Sequence, residues 1–324
     1  MDELNNKPEL DEQSSETNES EQNNLMDNNG IKPRIHPITA ALIGLFGGFF
    51  LYQFVGGVLM LLVFGFDLKD APVNSMRLMT VAGEILFILL PALIFSKIFY
   101  EDVGHIIRFK FPKAEEVFLF VIGIAVLIPM INYYISIQTY FINVWSVSSP
   151  FVHAVKSFLD KLNSMVDQTY SNLLSTKSIL DGLFVIIVVS VVPALCEEVM
   201  FRGFIQKSFE FKLKPIWAAV ITAIFFGLYH FNPYGLIPLI GLGLYFGYAA
   251  YMSNSIFVPM SLHFANNFMA VIFYFIFGDD DVINSTIDKN FNLQSSLLIF
   301  TGLLVLFLVV IFFIKRYYEQ TKKV

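Results

Sequence analysis

Charged side chains are scarce in this chain. Only 15% of its 324 residues are Asp, Glu, Lys or Arg, against about a quarter in an ordinary soluble domain, and 56% are apolar. That leaves too little polar surface to cover a globule of this size, which argues against a water-soluble enzyme and makes a bilayer the natural solvent. Cysteine is nearly missing: Cys196 stands alone, so neither an intramolecular disulfide nor a cysteine-rich metal cluster can form. The HExxH pattern, which sets two zinc ligands on one helix, is absent. A basic start followed at once by an apolar core, the mark of a secretory signal, is absent as well.

The charge that exists is unevenly placed. Residues 1–30 hold nine acidic side chains and one lysine, while the other 294 residues carry a net charge of +2. With almost no aromatic or β-branched residues, this start cannot bury enough surface to offset its ordering entropy, and residues 1–35 are read as a disordered acidic cytoplasmic tail. The remainder divides into an N-terminal transmembrane region (36–178), a transmembrane core rich in polar motifs (179–277), and a last span with a basic tail (278–324).

A helix needs about 20 apolar residues to cross ~30 Å of hydrocarbon. About eight runs approach that length: 38–66, 77–99, 116–137, 179–196, 215–231, 234–252, 256–277 and 294–314. The fourth and fifth are short, and the fourth is expected to continue through its charged end toward Phe204. In lipid every backbone amide must be bonded within its own segment or in a closed barrel, and these runs are too continuous for barrel strands. The prediction is an all-α, polytopic membrane protein with its functional groups between helices. In the polar stretch 141–178, Phe151, Val155, Phe158, Leu159, Leu162, Met165 and Val166 recur at helical spacing. They predict an amphipathic helix on the membrane surface or over a cavity mouth, with a plain packing helix as the alternative. With the N-terminus inside, the inner connections carry thirteen basic residues and the outer ones six, so both termini are expected in the cytoplasm of a multi-pass cell-membrane protein.

Ionisable groups within spans cost roughly 2.5–3.5 kcal/mol each on insertion scales, and each marks a functional hypothesis. The fourth span ends in Cys196-Glu197-Glu198-Val-Met-Phe-Arg202, the fifth in Phe226-Gly-Leu-Tyr-His230, and the seventh holds His263-Phe-Ala-Asn266-Asn267. Glu84 stands alone in the second. Glu198 and Arg202, four apart on one face, can neutralise each other; Glu197 is turned about 100° away and has no such local partner. His263 and Asn267 share a face. A carboxylate beside an imidazole can deprotonate a water, and a second His with an amide can hydrogen-bond a developing oxyanion. Alternatively Glu197, His230 and His263 could hold one zinc ion and use it to acidify a water. A proton-coupled transporter using Glu84, Glu197, Arg202, His230 and His263 as a relay is a further reading, although the first half lacks a comparable polar set. Cys196, a lone thiol in an apolar helix, reads as inert.

The three motifs together resemble the CPBP family of CAAX proteases and bacteriocin-processing enzymes, also called the Abi or type II CAAX prenyl endopeptidase family. That family is marked by EExxxR, FxxxH and HxxxN or HxxxD on separate transmembrane helices, here Glu197-Glu198-xxx-Arg202, Phe226-xxx-His230 and His263-xxx-Asn267. The resemblance covers about residues 180–275. It implies an intramembrane endopeptidase with a water-filled cavity reached from the cytosolic side, cutting a peptide bond near that face. Glu197 and His230 would activate the water, His263 and Asn267 would stabilise the oxyanion, and Glu198 with Arg202 would hold the fourth helix in register. Zinc is the one cofactor in question, since the family is described both as metalloprotease and as glutamate-dependent. The implied partners are the lipid bilayer and a peptide or protein substrate, with prenylated proteins and small secreted peptide precursors as the classes to test; no nucleic acid is expected. The family also includes non-catalytic scaffold and bacteriocin-immunity proteins, which is the alternative function.

Overall fold

The computed structural model describes residues 31–65, 71–278 and 291–321. Most of the expected acidic tail lies outside the described residues. Among those described there is no strand, and seven helices are long and apolar enough to cross a membrane. These are α1 (Pro37–Phe64), α2 (Val73–Tyr100), α3 (Ala114–Ser148), α5 (Ile179–Glu210), α7 (Leu236–Ser253), α8 (Phe257–Phe277) and α9 (Leu293–Thr321). Between them lie α4 (Pro150–Leu174) and the short apolar α6 (Pro215–Tyr229). The protein is an all-α, multi-pass membrane protein. Its outward faces expose Phe50, Leu62, Leu298, Phe312 and Phe313, an apolar area that only lipid accommodates.

Two helices differ from the expected spans in a way that matters for the site. The fourth span, drawn over 179–196, runs on as α5 for 32 residues to Glu210, as its apolar continuation suggested. The fifth is only 15 residues long, about 22 Å at 1.5 Å per residue, too short to cross ~30 Å of hydrocarbon. The polar stretch 141–178 is not one unit: α3 continues to Ser148, and a new helix begins at Pro150. Pro150 fits the first turn, where its missing N–H costs nothing, and the Ser149 side chain accepts from the Val152 amide at 3.4 Å. The amphipathic helix is therefore α4 alone, and Phe151, Phe158 and Met165 on its apolar face are exposed.

Apolar side chains pack in two main clusters. One joins α1, α2, α5 and α6 through Leu45, Ile88, Phe201, Phe204 and Phe226. The other joins α3, α7, α8 and α9 through Phe120, Tyr245, Phe246, Leu262 and Ile314. α6 and α7 form a tight hairpin because small residues line their contact: a Cβ on Gly243 would lie 3.1 Å from the Ala223 Cα, and one on Gly227 would lie 3.2 Å from the Leu236 carbonyl oxygen. Close approach of small residues is how membrane helices gain packing energy where lipid offers no hydrophobic push.

The same logic gives a test of the α3–α7 contact. A Cβ at Gly123 would fall 2.0 Å from the Tyr245 hydroxyl oxygen, which donates to the Phe120 carbonyl at 2.7 Å. Gly123→Ala is expected to destabilise the protein by about 1–3 kcal/mol through overpacking. Gly47→Ala, where an added Cβ meets nothing within 4 Å, serves as the control. Equal thermal midpoints for the two variants in detergent would show that Tyr245 is not held as described.

Candidate active site

The polar motifs converge where the two clusters meet. α5 brings Glu197 and Glu198 between two stretches of wider π-helical turn, Ile187–Val191 and Val199–Ile205, and Arg202 within the second, a deviation frequent at functional sites. Glu198 and Arg202 are fully buried and paired at 2.9 Å. The same carboxylate oxygen of Glu198 also meets His263 Nδ1 at 2.8 Å, so one acceptor ties α5 to α8. The Arg202 guanidinium lies 4.2 Å from the ring centroid of Phe226 and 5.3 Å from that of Phe246, and it donates to the Gly243 carbonyl at 3.3 Å. A charge this deep is tolerable only when paired and hydrogen-bonded, and aromatic faces on two helices add to its compensation. The structural role expected for Glu198 and Arg202 thus includes holding His263, whose ring also stacks on Phe246 at 5.5 Å.

Glu197 faces away from this pair, as its rotation on the helix predicts. Its Oε2 lies 3.9 Å from His230 Nε2 and has no hydrogen-bond partner. Both side chains keep some exposure, 14% and 20%, unlike the sealed Glu198–Arg202 pair. The short α6 and long α5 together explain how they meet: α6 stops at depth, and α5 passes beside its end. His230 Nδ1 sits 2.7 Å from the Phe226 carbonyl oxygen one turn earlier. A carbonyl can only accept, so Nδ1 carries the hydrogen and neutral His230 presents a bare Nε2 toward Glu197.

Asn267 is brought to the same region but is occupied. Its Nδ2 donates to the Val189 carbonyl at 2.9 Å, and its Oδ1 accepts from Asn266 Nδ2 at 3.1 Å. Val189 is four residues before Pro193, which has no N–H to offer that carbonyl. Asn267 therefore supplies a donor where proline removed one, and one of its two N–H bonds remains for other use. Pro193 was the sequence signal for this contact.

The zinc alternative can be measured against these positions. Among the described residues no three His, Cys, Asp or Glu side chains are placed to share a metal ion. Glu197, His230 and His263 do not form one ligand set in this arrangement.

Two residues outside the motifs reach the site. Glu84 on α2 is 3% exposed, is hydrogen-bonded to Tyr52 of α1, and interacts electrostatically with Glu197. The end of the α6–α7 hairpin is tied down by Tyr234, whose hydroxyl donates to Asp160 of α4 and whose carbonyl accepts from Gln138 of α3 at 3.1 Å. Burial alone would raise the Asp160 carboxyl, but hydrogen bonds from Lys156 and Tyr234 outweigh it and hold the group below its ordinary range.

Residues 179–269 match the family model described as type II CAAX prenyl endopeptidase Rce1-like. Over this stretch the chain is similar to the type II CAAX prenyl endopeptidases, which supports a CPBP-type intramembrane protease. No curated protein and no solved structure gives a match. The matched stretch contains all three motifs, from Glu197 to Asn267, and leaves α1, α2, α3, α4 and α9 outside it. A CPBP protein is in general terms a CAAX-type intramembrane endopeptidase, with a peptide or protein as its substrate and membrane lipid around it. The sealed Glu198–Arg202–His263 cluster and the more open Glu197–His230 pair both lie within the matched stretch.

Proposed function

We propose that this CPBP protease hydrolyses a peptide bond with a water activated by Glu197 and His230. The observation that carries the reading is the hydrogen bond from His230 Nδ1 to the Phe226 carbonyl, which turns an acceptor nitrogen toward a carboxylate oxygen 3.9 Å away. A separation beyond direct hydrogen-bond range suits two groups that hold the same water. The water gives one hydrogen to Glu197 Oε2 and the other to His230 Nε2, leaving its lone pair for the carbonyl carbon.

The electron pairs balance without a further reactant. The water O–H bond breaks to Glu197, the C–O bond forms, and the tetrahedral oxyanion develops. Collapse breaks the C–N bond as the leaving nitrogen takes the proton that Glu197 held. The residues proposed to face the oxyanion are His263 through Nε2 and Asn267 through its remaining N–H. Donation from Nε2, with Nδ1–H already given to Glu198, requires both ring nitrogens of His263 to carry a hydrogen.

Orientation is part of the proposal. With the N-terminus and the basic connections inside, α1, α2, α3 and α5 bring the chain back to the cytosolic side, where α6 starts. The proposed cut is near that cytosolic membrane face.

The deciding experiment is cleavage of short peptides, C-terminally prenylated ones included, by detergent-purified protein before and after stringent metal removal. Activity is expected to survive chelation. Loss on chelation with recovery on added zinc would overturn the carboxylate-activated water.

A further inference from the structure

The mechanism above leaves one buried carboxyl unused. Glu84 lies within α2 where that helix packs against the Val192–Glu198 part of α5, and it is 3% exposed. No ion pair links it to a cation among the described residues, and its Oε2 is buried without a hydrogen-bond partner, as is Oε2 of Glu197. The ionisable groups that interact with it come from several helices: Tyr52 of α1, Glu197 and Cys196 of α5, and Tyr170 of α4. None is cationic. A buried Glu84 carboxylate without a cation of its own would repel Glu197 and lack its hydration, and a proton held on Glu84 relieves both costs. If Glu197 is the base, the proton belongs to Glu84.

We propose that Glu84 is a positioning residue of the active site, a neutral carboxyl anchored by Tyr52 that offers its O–H toward the Glu197 carboxylate, directly or across one water. In this arrangement Tyr52 would serve one oxygen of Glu84 and the acid hydrogen would face the α5 side. The consequence is a fixed carboxylate: the neutral hydrogen bond from α2 keeps Glu197 aimed at His230 without removing its charge. The proposal rests on Glu197 being the base.

Two measurements test it. Infrared difference spectra of the detergent-purified parent and Glu84→Gln at neutral pH are expected to show a protonated-carboxyl C=O band that the variant lacks and that Glu197→Gln displaces. If Glu84→Gln removes no such band, the proposal is overturned, and this readout holds whether or not any peptide is cut. In cleavage of a prenylated peptide, Glu84→Ala is expected to lower kcat on the order of 10²-fold by misplacing the base, with KM unmoved. Glu84→Gln, which keeps a neutral donor, recovers most of that loss. Equal impairment of the Ala and Gln variants, or parental rates in both beside an inactive Glu197→Gln, would overturn the role of Glu84 alone. A Glu197→Gln protein that cuts as fast as the parent would instead remove the reading on which it rests.

Discussion

Glu197→Gln is expected to lower kcat about 10⁴-fold, the upper end of what a positioned general base contributes, or about 5.4 kcal/mol in the barrier. The substitution keeps the size and shape of the side chain and removes only its ability to take a proton. Little else depends on the charge: Glu197 Oε2 has no hydrogen-bond partner, and Arg202 is paired with Glu198 on another face of α5. The variant should therefore elute from a sizing column like the parent and melt at a similar temperature. A rate within a few-fold of the parent, with the protein intact, would end the case for a carboxylate base at this position.

Arg202→Met is expected to act in the opposite sense, on the fold before the chemistry. Removing the guanidinium leaves the Glu198 carboxylate fully buried with His263 as its remaining partner. Breaking a buried pair from one side costs about 3–5 kcal/mol because an uncompensated charge stays behind, and contacts with the Phe226 and Phe246 rings and the Gly243 carbonyl disappear with it. The readouts are the yield of monodisperse protein and its thermal midpoint in detergent. Glu198→Gln together with Arg202→Met should recover part of the loss, since it takes away the stranded charge. A single Arg202→Met protein with the parent's midpoint would show that the cluster does not join the two halves of the bundle.

Much of this arrangement was legible in the amino-acid order, for definite physical reasons. Long apolar runs leave no choice but helices in lipid, and a four-residue spacing fixes which groups share a face. That spacing separated Glu197 from Glu198 and placed Arg202 beside the latter. The Phe226-to-His230 spacing also encodes the hydrogen bond that sets the tautomer, because the carbonyl of residue 226 lies one turn below residue 230. Contacts between distant segments were not legible. Glu84 looked solitary because nothing near it in the chain is polar, and only the packing of α2 on α5 brings it to Glu197. Asn267 was read for its chemistry alone, whereas the structure also uses it to serve the carbonyl that Pro193 leaves unmet. The meeting of Glu197 with His230 also depended on the length of α6, which ends after 15 residues.

The Glu198 oxygen shared by Arg202 and His263 has a bearing on how the protein comes to be active. Helices already inserted in lipid gain little from burying further apolar surface, so their final docking is decided by packing and polar contacts. Arg202 has Glu198 on its own helix, whereas His263 comes from a separate span and alone would face hydrocarbon as an unsatisfied group. The step that satisfies it also closes α8 against α5 and completes the proposed site. Maturation and activation are then one event, and a chain still assembling its helices has no competent site with which to cut its neighbours.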